Sequence, residues 1–176
     1  MRISAGTHSG VPRFELVEER SARVTRMSEQ SGLGRFVGKV HILPIRIYYE
    51  DTDLSGVVYH ANYLRYMERG RTEYFRLAGI SKMAMLDDAE PTAWTLRNAS
   101  IDFFKPARLD DPVEIHTTCP LLTGARMRAD QKIYSGDTLL AHGKVEACIM
   151  TLSGKPRRIP QAVRDKLLPF VLETGA

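Results

Sequence analysis

The sequence predicts an α+β domain in which a curved antiparallel sheet wraps around one long central helix. Three observations predict it. Residues 40–49 alternate like a strand, residues 62–78 carry apolar side chains at helical spacing, and from Pro91 onward the periodicity is strand-like for about sixty residues. A helix with a single apolar stripe needs a surface to bury it against, and a sheet bent around the helix covers that stripe.

Taken in order, residues 1–37 are polar and interrupted by Gly6, Gly10, Gly32 and Gly34. They hold too few apolar residues for a core, so they read as a poorly ordered extension in which a short helix over 14–26 is the one element to expect. The domain proper then spans 38–176, and Met27 is an alternative to Met1 as the start of translation. Val40, Ile42, Ile45 and Ile47 mark the first strand, with Pro44 signalling an edge or a bulge. The long helix begins near His60 to Asn62. Tyr63, Tyr66, Met67, Gly70, Tyr74, Leu77 and Ala78 share its stripe, and Gly79 stands where a left-handed C-terminal cap forms. Arg69 and Glu73, four apart, are expected to pair on its solvated side. A short helical piece is expected over 82–86. Strands follow over 92–104, 113–122, 125–134 and 138–151, separated by turns at 106–112, at Ser135-Gly136-Asp137 and at Ser153-Gly154, the second being a hairpin signal. Ile159 ends a last short strand, and 161–172 reads as a terminal helix.

Composition narrows the function classes. With 43 % apolar and 26 % charged residues, 176 in all, the chain is of ordinary globular type and one domain in size. The net charge is +4, but basic residues are interleaved with acidic ones rather than blocked together, which argues against a nucleic-acid partner and is compatible with a phosphate-bearing ligand. Cys119 and Cys148 are the only cysteines, so a disulfide-built scaffold and a thiolate zinc site are both excluded, and a reducing, cytoplasmic setting is expected. No apolar run approaches the ~18 residues of a membrane span, and the first thirty residues contain no signal-peptide core.

Chemistry concentrates between Tyr48 and Arg76. An acidic turn with Glu50, Asp51 and Asp53 crosses Ser55-Gly56 and runs straight into the helix start. Unpaired N–H groups and the positive end of the helix dipole gather there, which suits a developing oxyanion, and a carboxylate on the preceding loop can attack a carbonyl or activate water. The run Tyr48-Tyr49-Glu50-Asp51-Thr52-Asp53, then Gly56-Val57-Val58-Tyr59-His60 and Tyr63, resembles the active-site signature of the 4-hydroxybenzoyl-CoA thioesterase family. It is most similar to the Tol-Pal-associated acyl-CoA thioesterase branch, and the likeness continues through Glu68-Arg69, Arg71-Thr72-Glu73, residues 106–111 and residues 156–160. The resemblance implies a hot-dog fold, hydrolysis of acyl-CoA thioesters without metal or redox cofactor, and an active site at the subunit interface of a homodimer or homotetramer. Acyl carrier protein is a further acyl donor to consider.

Residue by residue, the resemblance implies Asp53 as nucleophile or general base and the His60 backbone N–H as oxyanion donor. An isolated Asp in such a turn is more often a capping carboxylate. Gly56, Val58, Tyr59, Asn62 and Tyr63 are expected at the substrate pocket, with simple packing as the rival role for the aromatic residues. Arg126 and Arg128, alternating on one strand face with Lys132, are candidates for the coenzyme A phosphates, although each alone reads as a solvated edge residue. Glu68 is the next carboxylate in line, with an ion pair to Arg71 as its bland alternative. A metal held by Asp51, Asp53 and His60 lacks a completing cluster. The rival functions are a hydratase, whose Asp/His spacing differs, a non-catalytic acyl-CoA or acyl-carrier-protein binding module, and a basic nucleic-acid binder.

Overall fold

A computed structural model of the chain describes residues 32–82, 85–87 and 89–174, which lie in one compact unit, Gly32–Ala176. The helix expected over 14–26 falls outside them. So does the middle of the piece expected over 82–86, whose flanking residues Lys82, Met85 and Leu86 are in turns.

Strands β1 (Arg35–Val37) and β2 (Val40–Arg46) are followed by the long helix α1 (His60–Leu77) and then by β3 (Thr92–Phe103), β4 (Pro112–Leu122), β5 (Met127–Ser135), β6 (Thr138–Thr151) and β7 (Pro156–Arg157). A short helix α2 (Gln161–Leu167) and strand β8 (Val171–Thr174) complete the unit. The sheet order is β1-β2-β4-β5-β6-β3, antiparallel throughout, with β7 paired to β6 and β8 running parallel to β4. This is the α+β, hot-dog arrangement, a curved sheet around one helix.

The inner face follows from alternation. Val113, Ile115, Thr117 and Cys119 of β4 are buried, as are Met127, Ala129, Gln131 and Ile133 of β5, while the residues between them point outward. Against this face α1 buries Tyr63, Tyr66, Met67, Gly70, Tyr74 and Phe75. Helix and sheet approach closely because two positions lack side chains. A Cβ on Gly70 would lie 2.9 Å from Ile115 Cγ2, and one on Gly143 would lie 2.4 Å from Met67 Sδ. The helix closes as expected at Gly79, whose φ is +76°: Gly79 N–H donates to Arg76 O and Ile80 N–H to Phe75 O, the paired bonds of a Schellman cap.

Several expectations need correction. Leu77 is 37 % exposed, and Phe75 takes its place in the core by stacking on Trp94 with ring centroids 5.0 Å apart. Glu73 pairs with Arg76 instead of Arg69, whose guanidinium lies over the Tyr66 ring. The terminal helix stops at Leu167 rather than 172, since Pro169 has no N–H to donate to the Asp165 carbonyl and the chain passes into a single 3-10 turn over Leu168–Phe170. The chain thereby returns as β8 along the part of β4 that β2 leaves free. Strand β1 lies inside the segment read as an extension. Pro44 pairs with Glu114 of β4 at a point where β1 no longer covers β2, so it does sit on an edge.

The longest open edge belongs to β3. Among the described residues it pairs only with β6, leaving twelve residues of free edge, and it carries a bulge between Leu96 and Asn98. An edge of that length invites pairing with another chain.

Candidate active site

The acidic turn separates its three carboxylates by role. Asp51 is buried, and its Oδ2 accepts the Tyr48 N–H at 2.8 Å. Its carbonyl receives the Tyr59 N–H and the Asn62 Nδ2 donor, both at 2.9 Å. That carbonyl therefore ties the turn to the first turn of α1. Asp53 is exposed, two residues further on, in a tight reverse turn: Asp53 N–H donates to Val57 O, Gly56 N–H donates to Asp53 O, and Gly56 supplies the positive φ of +74°. Short bridges Thr52 to Val58 and Val57 to Arg108, with Val58 N–H donating to Ala107 O, fix this turn against the chain that leaves β3.

The Asp53 carboxyl is held below its ordinary range by the Ser55 hydroxyl, which donates to Oδ1, and by the Ser55 N–H on the same oxygen; the charge of His60 adds to this. The carboxylate is therefore ionised at neutral pH and has one oxygen, Oδ2, left over. His60 opens α1. Its N–H donates to no described residue, as expected at a helix start, and its exposed ring leans on Tyr59 with centroids 4.2 Å apart.

Beside His60 lies an open cavity of about 270 Å³ lined by Val58, His60, Tyr63, Phe103, Lys105 and Pro106, with Phe104. Tyr63 is 3 % exposed; its hydroxyl accepts the Ala107 N–H at 2.8 Å and its ring meets Phe103 edge-on. So Val58, His60 and Tyr63 come together in the wall of one cavity. Asn62 is a loop anchor rather than a pocket wall. Tyr59 is 47 % exposed beside the helix start, and Gly56 serves the turn. Asp53 does not line this cavity within one chain.

Arg126 and Arg128 stand apart from this site. With Arg97 they converge on Glu146, at 3.5 Å, 3.0 Å and 2.9 Å respectively, beside a separate open depression that shares no lining residue with the cavity at His60. Glu68 pairs with Lys82 at 3.2 Å and accepts from Thr72, not from Arg71. Among the described residues, no group of three or more His, Cys, Asp or Glu side chains could hold a metal ion. The residues missed from sequence are Phe103 to Ala107. Their signal was the strand-ending pair Phe103-Phe104 before the Pro106 turn, but which helix residue they would face is a long-range matter.

A carboxylate on a tight turn, a helix-start N–H with no acceptor among the described residues and an apolar cavity beside it have chemistry suited to acyl hydrolysis. Comparison with known proteins agrees. The family model described as "Thioesterase superfamily" matches residues 55–142, and the chain belongs to that superfamily. Within it the chain falls in the YbgC-like branch and is a thioester hydrolase. The acyl-CoA thioester hydrolase YbgC of Escherichia coli O6:H1 is 40 % identical over 122 residues, covering 68 % of this chain and 90 % of that protein. The acyl-CoA thioesterase YbgC of Haemophilus influenzae is 35 % identical, covering 69 % and 89 %. Among solved structures, a probable thioesterase from Bartonella henselae is 39 % identical, covers 69 % of this chain and 99 % of its own, and superposes with a TM-score of 0.67. No helix among the described residues is long and apolar enough to cross a membrane.

Proposed function

We propose that the protein hydrolyses acyl-CoA thioesters to the free acid and coenzyme A, with Asp53 starting the reaction and the His60 N–H receiving the oxyanion. The observation that carries this reading is the ionised, half-occupied carboxylate held on a rigid turn seven residues before an unpaired helix-start amide. Asp53 either adds through Oδ2 to the thioester carbonyl carbon, expelling the thiolate and leaving an anhydride for water to open, or takes a proton from a water that adds instead. Its low proton affinity favours the first route. In both routes the C–S bond breaks, the thiolate is protonated, and charge on the carbonyl oxygen is met by the His60 N–H and the start of α1.

The reading includes a homodimer or higher homo-oligomer. Asp53 is open to solvent on one chain and the cavity at His60 is unclosed on the side of Phe103, at the end of the free β3 edge. Pairing of two β3 edges supplies the missing wall and removes an aggregation-prone edge. For the coenzyme A phosphates, Lys105 at the cavity rim and Arg108 on the bridged loop are better placed than Arg126 and Arg128, whose charge is partly spent on Glu146. No cofactor is needed for this chemistry.

The test is release of free thiol from short, long and aromatic acyl-CoA esters and from acyl carrier protein thioesters. Turnover of at least one acyl-CoA class supports the hydrolase. Tight acyl-CoA binding without turnover would instead establish the non-catalytic binding module.

A further inference from the structure

A second cavity, of about 130 Å³, lies between α1 and the inner face of β3, β5 and β6. Phe75, Trp94, Leu96 and Met127 make its apolar wall, and Arg71 supplies a polar end, with the Glu68–Lys82 pair at its rim. One side chain there lacks the counter-ion its burial calls for. Arg71 is partly buried, donates to the neutral Gln131 Oε1 at 2.6 Å, and has no carboxylate within ion-pair distance among the described residues. A guanidinium charge held among apolar side chains without a counter-ion is costly unless a ligand supplies one. Burial lowers the Arg71 pKa, the Glu68 charge only partly opposing it, and an anion would reverse that.

The placement of this cavity relative to the active site follows from β3. When two copies of a strand pair antiparallel about a twofold, residues directly opposite share a sheet face. The inner residues of β3 are Trp94 and Leu96 before the bulge and Ala99, Ile101 and Phe103 after it, as their partners Ile149, Ala147, Val145, Gly143 and Ala141 on β6 show. The bulge changes the parity between the halves. A twofold at the bulge therefore sets inner against inner: Trp94 opposite Ile101 of the second copy, and Leu96 opposite its Ala99. Phe103, which walls the cavity at His60, then lies beside the Trp94 end of the other copy.

We propose that each active site passes the acyl group of its substrate into the Arg71–Trp94 cavity of the second copy, and that this cavity selects short acyl groups ending in an acceptor oxygen, a carboxylate above all. The size fits. An apolar cavity of about 150 Å³ takes one benzene ring, so this one accommodates a chain of about five carbons. The inference rests on the hydrolase reading above.

The probes are glutaryl-CoA and pentanoyl-CoA, which have equal chain length and differ in the terminal carboxylate. Wild type should favour glutaryl-CoA by about tenfold or more in kcat/KM, since a site built around donors discriminates strongly against a ligand lacking the acceptor. Arg71→Met should bring the ratio near one, and Arg71→Lys should keep part of it. Should Arg71→Met not fold, Arg71→Gln, which keeps a polar side chain and removes the charge, should lower the ratio. Equal use of the two esters by wild type, or an unchanged ratio in these variants, overturns the proposal. Mixing Asp53→Asn with Arg71→Met subunits tests the crossover: an intact Asp53 then faces an intact Arg71 only across the interface, so recovered glutaryl preference supports it and its absence overturns it. A wild type that hydrolyses no acyl-CoA of any kind removes the hydrolase reading itself, an outcome distinct from lost selectivity.

Discussion

Asp53 owes its low proton affinity to one neighbour. The Ser55 hydroxyl and N–H both reach Oδ1, at 2.5 Å and 2.8 Å, and both favour the ionised form. Because these bonds depress the carboxyl pKa, removing the hydroxyl raises it, and the acid limb of kcat/KM should move to higher pH in Ser55→Ala. An unmoved limb would separate Ser55 from the reacting carboxylate. Tyr63 acts through position: its hydroxyl takes the Ala107 N–H, which would otherwise be a buried unsatisfied donor. Tyr63→Phe should cost about 1–3 kcal/mol of stability by denaturant titration and lower kcat as the cavity wall at residues 103–107 loosens. The turn at Asp53 and the helix start at His60 were legible in the sequence because their signals are local. The Tyr63 contact was not, since it joins residues 44 apart in the chain through the fold.

At the scale of elements, α1 and the sheet meet through glycines. Gly70 faces Ile115, Thr117 and Gln131, and Gly143 faces Met67, each too closely for a methyl group. Gly70→Ala gains about 1 kcal/mol of helix propensity, but inserts a carbon into a closed interface at about 1–3 kcal/mol. Gly143→Ala meets only the flexible end of Met67, which can swing aside. Both should lower Tm, Gly70→Ala by more because Ile115 and Thr117 are β-branched and stiff, on the order of 2–4 °C for each kcal/mol in a domain of this size; an unchanged Tm in Gly70→Ala would show that the sheet face has room to give. The stripe and the cap of α1 were readable because 3.6-residue spacing and a glycine stop are sequence properties. β1 and β8 were not. Three residues make no period in β1, and β8 forms where Pro169 has ended α2 and β4 offers an unpaired side.

For the whole molecule the decisive feature is the unpaired β3. Its exposed apolar residues Leu96 and Phe103 and its parity-changing bulge suit a second copy of itself. Ala99→Glu would set a carboxylate opposite Leu96 of that copy. It should shift the protein toward monomer in analytical ultracentrifugation and reduce acyl-CoA hydrolysis by about tenfold or more, as the proposed completion of the site across the interface requires. Full activity in a monomeric Ala99→Glu variant would make the site self-sufficient. The sequence did not show that β3 would lie at the end of the sheet, since sheet order is set by pairing between distant segments.

The central claim is that a carboxylate at position 53 drives hydrolysis at the start of α1. Its most direct measurement is the rate of thiol release from a good acyl-CoA substrate by wild type and by Asp53→Asn, a change that preserves shape and removes charge. A loss of kcat of about a hundredfold or more, with folding intact, is expected. Equal rates in the two proteins would contradict it.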